Sequence, residues 1–241
     1  MSNDERLPIF IGRDKREPLS YEVTARSLLA HSSKKLLVIP LSMSELQRHG
    51  LYTRPTGTRD GRLFDFISNL PMSTEFALTR FWVPYLCEYK GWALFVDGDW
   101  LFRDDVAKLF AYADPRYAVM VVKHFHERAE TRKMDDQVQK QYPRKLWSAL
   151  MLFNCGHRAC RTLELDYLNH SHRHELHGFS WCHDDEIGEL PMNWHVVDMD
   201  VAGYHLTRGT PELGVWGSQF DDEWMAYLEW DEFSKIDESK R

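Results

Sequence analysis

Short, uninterrupted apolar runs recur along the chain, and polar turn-forming residues separate them. The clearest run is Trp92–Val96, which ends at Asp97 and Gly98. Fully apolar runs of this length are typical of strands that are buried on both faces of a sheet. We therefore predict strands at this run and at residues 7–11, 36–41, 117–122 and 148–153.

Between these runs, apolar residues recur at helical rather than alternating intervals. This spacing predicts helices over residues 19–30 and 74–89, and Pro84 should kink the second of them. The alternation of strands and helices predicts an α/β fold, in which helices cover both faces of a mostly parallel sheet. Residues 52–62 are rich in turn formers and predict a mobile loop, whereas the charged stretch 229–241 is expected to fray.

The composition indicates one globular domain over residues 1–241. The chain has 30 Lys and Arg against 37 Asp and Glu, a formal charge of −7, which argues against a nucleic-acid-binding protein with a broad basic face. No apolar run approaches the roughly 18 residues of a membrane span. The four cysteines form no CxxC motif and fit reduced thiols, so we expect a cytoplasmic protein. The nine tryptophans are compatible with a homodimer face.

The turn after the strongest strand carries two carboxylates, Asp97 and Asp99, on either side of Gly98. A buried parallel strand delivers its last residues to the carboxyl edge of the sheet, where open α/β folds bind their ligands. Glycine permits the turn and puts no side chain between the two acids. Paired oxygens at that edge suit Mg²⁺ or Mn²⁺, which can hold phosphates, although Asp-Gly is also common in solvated turns.

Other segments carry polar residues at positions that a nucleotide site would use. The first predicted strand leads into Gly12 and Asp14, and Arg80 precedes Pro84 by four residues on a predicted helix. The segments that follow Asp97-Gly98-Asp99 in the chain are residues 147–154, 183–187, 190–194 and 204–211.

This ordered set resembles the nucleotide-sugar-dependent glycosyltransferases of the A-type fold, in particular the glycogenin-like family 8 group. The resemblance implies a single A-type domain, a nucleotide-sugar donor, favouring a UDP-sugar, and a saccharide or other hydroxyl acceptor. It also implies Mn²⁺ or Mg²⁺ as cofactor, held by Asp97, Asp99 and His205 and assisting departure of the diphosphate. The Lys-Pro-Trp ending usual in this family is absent, which leaves Arg208 as the nearby cation.

The resemblance assigns the remaining site residues as well. Asp185 or Asp184 would face the sugar carbon or a donor hydroxyl, and Asp185 is the preferred candidate of the two. Taken alone, such acids also favour the start of a helix, and a helical arginine is usually solvated or ion-paired. The residues expected to contact the donor or its nucleotide are Ile11, Gly12, Asp14, Arg80, Asp97, Gly98, Ser148, Arg208 and Gly209.

Two other functions are compatible with the sequence. A nucleotidyl- or phosphoryl-transfer enzyme would also place an Asp pair at a strand end. Such an enzyme normally needs a glycine-rich phosphate loop, however, and neither GxxxxGK[ST] nor GxGxxG is present. A non-catalytic interaction module would instead bind metal through the His-rich residues 170–177, whose spacing fits no zinc pattern.

Overall fold

The central feature of the fold is a six-stranded sheet with helices on both faces. The computed structural model of the chain describes residues 6–124, 144, 146–195, 202–207 and 209–236. The strands in these residues are β1 (Leu7–Gly12), β2 (Leu36–Leu41), β3 (Thr56–Arg59), β4 (Arg62–Asp65), β5 (Leu70–Pro71), β6 (Trp92–Val96), β7 (Trp100–Phe102), β8 (Val119–Val121), β9 (Leu150–Asn154), β10 (Ile187–Glu189) and β11 (Gly203–His205).

Most helices are short, and α1 is the longest in the described part of the chain. The α-helices are α1 (Pro18–His31), α2 (Met43–Arg48), α3 (Phe76–Thr79), α4 (Val83–Leu86), α5 (Ala107–Phe110), α6 (Leu165–His170), α7 (Arg173–His177), α8 (Asp221–Met225) and α9 (Trp230–Phe233). Single turns of 3₁₀ helix cover Arg80–Trp82, Trp147–Ala149, Arg158–Thr162, Asp184–Glu186, Met192–Trp194 and Pro211–Leu213.

The main sheet has the strand order β10–β8–β9–β6–β1–β2. Within it β9 runs antiparallel to its neighbours β6 and β8, and the other adjacent pairs are parallel. The predicted α/β class with a mostly parallel sheet is therefore confirmed. Ile11 of β1 lies beside Val96 of β6, so these strands end at one common edge with Gly12 and Asp97 close together.

The core lies on both faces of this sheet. Successive side chains of a strand point to opposite faces, so one apolar strand can supply two separate clusters. Phe10 and Phe95 belong to the cluster on one face, whereas Ile9 and Leu94 belong to the cluster on the other. This double burial explains why the strands have continuous apolar sequences.

The helix predicted for residues 74–89 is broken into three short pieces. Helix α3 ends at Thr79, a 3₁₀ turn covers Arg80–Trp82, and α4 begins at Val83 with Pro84 in its first turn. Proline has no N–H to donate and its ring clashes with the preceding turn, so the first turn of a new helix is where it fits. The predicted kink at Pro84 is confirmed.

The mobile loop predicted over residues 52–62 is wrong. Strands β3 and β4 form an antiparallel hairpin whose tip is Asp60 and Gly61, with φ angles of 52° and 71°. Two successive residues with positive φ are typical of the tight turn that matches the twist of a hairpin. The turn formers in this segment therefore mark the hairpin tip.

Strands β7 and β11 form a separate two-stranded sheet beside the main one. They pair antiparallel, and His205 lies opposite Trp100. This pairing brings a residue from late in the chain next to the turn that follows β6.

The charged stretch that was expected to fray is packed as far as the structure describes it. Trp230–Phe233 is helical, Arg26 donates to Glu232, and Ile236 is buried. An ion pair and one apolar anchor fix this stretch, and residues 237–241 lie outside the described part. Among the described helices, none has the length and apolar character that crossing a membrane requires.

Candidate active site

Three potential metal ligands converge at the carboxyl edge of the sheet. Asp97 directly follows β6, Asp99 precedes β7, and His205 ends β11. One ligand atom from each residue lies within 4.8 Å of the other two. The His205 Nε2 atom is 3.1 Å from Asp99 Oδ1 and 3.7 Å from Asp97 Oδ2. The structure thus brings together the three residues that the sequence assigned to the metal.

The turn that carries the two acids is held by backbone contacts. A Cβ atom on Gly98 would lie 2.1 Å from the Gly12 carbonyl oxygen, so only glycine fits at this crossing. The Thr24 hydroxyl lies 2.9 Å from the Gly98 carbonyl and 2.8 Å from the Trp100 carbonyl, and it accepts from the Trp100 amide at 2.9 Å. Helix α1 therefore supports the turn from one side through Thr24.

The charges of the cluster are strongly coupled. Burial raises the pKa of Asp97 to about 6, although Arg80 and His205 both favour its charged form. Burial alone would lower the pKa of His205, but Asp99 and Asp97 outweigh it and raise that pKa above its usual value. Arg80 Nη1 lies 3.0 Å from Asp97 Oδ1 and is itself buried. Without a metal ion, the cluster therefore tends to retain protons.

These residues fit a hard divalent cation. Asp97 Oδ1 and Asp99 Oδ1 are both buried, and their described neighbours, Arg80 Nη1 and His205 Nε2, form close ion pairs with them but no hydrogen bond of good geometry. Buried carboxylate oxygens without such a partner are unfavourable unless something else satisfies them. Two carboxylates and one imidazole form a ligand set suited to Mn²⁺ or Mg²⁺.

A chain of polar contacts runs from Asp97 into a second part of the site. Arg80 Nη1 donates to the Ser148 carbonyl at 2.7 Å, and Ser148 Oγ lies 2.9 Å from His177 Nδ1. Burial, followed by the charge of Arg80, lowers the pKa of His177 well below its usual value, so this imidazole is neutral at pH 7. Arg80 and Ser148, both predicted donor contacts, thus lie next to the metal cluster.

The loop after β1 borders the cluster with residues that the sequence assigned to the donor. The Ile11 side chain is fully buried in the core, which leaves its backbone at the edge of the sheet. Asp14 accepts from Arg16 and from the Glu75 amide, so its carboxylate is engaged in holding the loop. Burial raises the pKa of Glu17 to about 8, and the negative charge of Asp99 is the second-largest contribution. This carboxyl is therefore mostly protonated at neutral pH.

Asp184 and Asp185 are not brought to the cluster. They precede β10, and the register of the intervening strands places Ile187 level with Ala93. Ala93 lies four residues before Asp97 on β6, and β10 is three strands away from β6. At ordinary strand spacings, Ile187 is therefore roughly 20 Å from Asp97. The assignment of these acids to the donor sugar stays a prediction, since Arg144 joins Asp184 to the Gly178 carbonyl, next to His177.

Both acids lie at the surface, and Asp184 has a local ion-pair partner. Asp184 and Asp185 are exposed in the first turn before β10, and Arg144 Nη2 donates to Asp184 Oδ1 at 2.5 Å.

Gly209, a predicted donor contact, lies four residues after His205 with a φ of 121°, and its amide donates to the Leu206 carbonyl at 2.9 Å. Arg208, the predicted phosphate-binding cation, lies outside the described residues.

The structure adds residues that the sequence did not assign to the site. Thr24 supports the acidic turn, and His195 lies 3.0 Å from His205 through their ring nitrogens. His177 was part of the His-rich segment considered for zinc, but the structure directs it to Ser148. Within the described ranges, no group of three ligands other than Asp97, Asp99 and His205 comes close enough for a metal ion.

Comparisons with known proteins identify one sequence relative and a larger set of structural ones. No described protein family matches the chain by its sequence profile. Protein CDI of Arabidopsis thaliana is 38% identical over 241 residues, covering 94% of this chain and 88% of that protein. The glycosyltransferase GlyE of Streptococcus pneumoniae TIGR4 superposes with a TM-score of 0.56 at 10% identity, over 95% of this chain. The aligned part spans 62% of the GlyE chain.

A second solved structure gives the same architecture. The galactosyltransferase LgtC, solved in complex with donor and acceptor sugar analogs, superposes with a TM-score of 0.56 at 13% identity. The match covers 95% of this chain and 100% of that one. Similarity at such low identity establishes the fold, which is that of the A-type glycosyltransferases.

Proposed function

Since this chain belongs to the same family as Protein CDI of Arabidopsis thaliana and has the A-type glycosyltransferase fold, we propose that it transfers a sugar from a nucleotide-sugar donor to a hydroxyl acceptor. The observation that carries this proposal is the cluster of Asp97, Asp99 and His205 at the carboxyl edge of the sheet. Open α/β folds bind their ligands at this edge. The order of the sequence motifs supports a UDP-sugar donor and an enzyme of the glycogenin-like family 8 group.

Asp97, Asp99 and His205 would hold Mn²⁺ or Mg²⁺ through two carboxylates and one imidazole. When bound, such an ion supplies Lewis-acid chemistry, because its charge stabilises the departing nucleoside diphosphate. Arg80 holds Asp97 from the interior of the protein and joins it to Ser148. The backbone crossing of Gly12 and Gly98 is buried against the Phe76 ring, so it holds the acidic turn in place at the end of β6.

Ser148 and His177 are assigned to the sugar side of the site. They are linked by a hydrogen bond, and Arg80 joins them to Asp97. The neutral imidazole and the hydroxyl can exchange hydrogen bonds with sugar hydroxyls without adding charge. In this proposal they supply the polar contacts on the sugar side, next to the Arg144 that pairs with Asp184.

The proposal is tested first by removing one metal ligand. Asp99→Asn keeps the size of the side chain but removes its charge, so we expect loss of transfer and donor hydrolysis by about 100-fold or more. The measurement is release of nucleoside diphosphate from a panel of UDP-sugars with Mn²⁺. The matched control is Asp114→Asn, because Asp114 pairs with Arg116 at the surface and should leave turnover unchanged.

A thermal-shift series separates this function from the alternatives. For the wild type, we expect UDP to raise the melting temperature only when Mn²⁺ or Mg²⁺ is present. Stabilisation by nucleoside triphosphates but not by UDP would favour phosphoryl transfer. Stabilisation by Zn²⁺ alone would favour the non-catalytic module.

In the mutagenesis test, turnover of Asp99→Asn at the wild-type rate in Mn²⁺ would remove the basis of the proposed metal site.

A further inference from the structure

A second histidine lies directly behind the proposed metal ligand. His195 is 1% exposed and follows the 3₁₀ turn Met192–Trp194. Its Nε2 atom is 3.0 Å from His205 Nδ1, a normal distance for a hydrogen bond between two imidazoles. The other ring nitrogen of His205, Nε2, faces Asp99 and Asp97. The two nitrogens of His205 therefore face different partners.

Aromatic rings enclose this histidine pair. Trp100 stacks on His205 with ring centroids 4.6 Å apart and an angle of 19° between the planes. The Trp100 ring also lies 4.8 Å from the ring of His195, and His124 meets His195 edge to face at 4.3 Å. These contacts restrict how far either imidazole can rotate.

The hydrogen bond limits where the protons can lie. A neutral imidazole has one N–H and one lone pair, and two ring nitrogens can share a hydrogen bond only if one of them bears the proton. If His205 offers the lone pair of Nε2 to a metal ion, its proton is on Nδ1. His205 Nδ1 is then the donor, and His195 Nε2 is the acceptor.

We propose that His195 is a positioning residue, which holds His205 in the orientation and the tautomer that expose the Nε2 lone pair to a divalent ion. The proposal rests on the metal site of the proposed function and extends it to the partner that orients the ligand. Metal-binding histidines generally need such a partner on their second nitrogen, and its loss costs about 10- to 100-fold in metal affinity.

The first test measures binding of Mn²⁺ alone, by electron paramagnetic resonance of the free ion. His195→Phe removes the acceptor and keeps a flat ring of similar size, so we expect affinity to fall about 10- to 100-fold. His195→Gln restores a side-chain acceptor and should recover most of that loss. The matched control is His49→Phe, because His49 is exposed directly after α2 and this variant should bind Mn²⁺ like the wild type.

A second measurement reads the tautomer directly in the wild type. Nitrogen-15 chemical shifts of both rings, recorded with Mg²⁺, should show a protonated Nδ1 on His205 and, as its acceptor, an unprotonated Nε2 on His195. This spectrum needs no variant, so it decides the question even if His195→Phe does not fold. The opposite tautomer would overturn the proposal.

The outcomes distinguish this inference from the function on which it rests. If the wild type binds Mn²⁺ and Asp99→Asn does not, but His195→Phe binds it as tightly as the wild type, the positioning role is refuted and the metal site stands. If the wild type binds neither Mn²⁺ nor Mg²⁺, both the metal site and the role of His195 are refuted. A loss in His195→Phe that His195→Gln recovers supports the proposal.

Discussion

At the residue scale, Asp97 and Asp99 have different surroundings although one glycine separates them. Asp97 contacts a buried arginine, and its pKa is raised to about 6 because burial penalises the charged carboxylate. Asp99 instead lies against His205. The metal-free site therefore combines one carboxyl that tends to stay protonated with an imidazole that also tends to keep its proton.

These protons predict that Mn²⁺ affinity increases with pH. The pKa values of Asp97 and His205 are both raised, so the folded protein without metal keeps their protons to higher pH than an unfolded chain would. Both protons must leave before the ion can bind. Below pH 6 we expect a rise in affinity of about tenfold or more per pH unit, which flattens once both groups are deprotonated.

The measurement is calorimetric titration of Mn²⁺ at about pH 5.5, 6.5 and 7.5 in buffers of different ionisation enthalpy, which also counts the protons released. The folded protein holds the protons of Asp97 and His205 more tightly than the unfolded chain does. The free energy of unfolding of the metal-free protein should therefore decrease as the pH rises through this range. An affinity that does not change with pH would contradict the assigned ligands.

At the scale of elements, the site depends on how closely two strand ends approach. Gly98 follows β6 and lies against the carbonyl oxygen of Gly12, which ends β1. The contact is so close that a methyl group on Gly98 would not fit. We expect Gly98→Ala to lower the free energy of unfolding by about 1–3 kcal/mol and to weaken Mn²⁺ binding, because the turn must shift.

Chemical denaturation and Mn²⁺ titration of the same variant provide the measurement. Gly156→Ala is the control, since a Cβ atom there meets its nearest neighbour at an ordinary 3.7 Å. Its stability should stay within about 0.5 kcal/mol of the wild type. Equal effects of the two substitutions would show that the crossing does not limit the site.

Five of the six strands of the main sheet were predictable from the sequence, whereas β10, the β7–β11 pair and the hairpin were not. Trp92–Val96 is apolar throughout because both of its faces are buried, and such a run identifies a strand without knowledge of its neighbours. Thr56–Arg59 and Arg62–Asp65 carry few apolar residues, so only their turn formers stood out. Their pairing depends on register and on tertiary contacts, which local pattern does not record.

At the scale of the whole molecule, Arg54 links the hairpin to a distant part of the chain. Its side chain and that of Asp65 are both 0% exposed, with Arg54 Nη2 2.7 Å from Asp65 Oδ2. Arg54 Nη1 also donates to the carbonyls of Leu168 and Ser171, each at 2.9 Å. One guanidinium thus satisfies acceptors from the hairpin and from the region of α6.

Arg54→Met is expected to lower the free energy of unfolding by about 3–5 kcal/mol, because it leaves the Asp65 carboxylate buried without its counter-charge. Urea denaturation measures the change. Arg59→Met is the control at the hairpin tip, where Arg59 is exposed and donates to Asn69, and its effect should stay within about 0.5 kcal/mol. A similar loss in both variants would refute the anchoring role of Arg54.

The residue pattern alone located the candidate site only where chain neighbours supply it, whereas His205, Arg80 and Ser148 were assigned through the family resemblance. Asp97 and Asp99 lie in one turn at the end of a recognisable strand, so the sequence alone located them. The distance of Asp184 and Asp185 from that turn was not predictable, because it depends on the register of three intervening strands. His195 gave no signal, because a lone histidine after a tryptophan has no pattern that reveals a contact with His205.

The pairing of β7 with β11 has a consequence for biosynthesis. His205 meets the acidic turn only when β11 has joined β7, and these strands are far apart in the chain. A nascent polypeptide on the ribosome therefore displays both carboxylates long before the imidazole emerges. If the cluster binds an ion as proposed, binding must therefore wait until β11 is made, and a chain arrested before β11 would lack one of the three ligands.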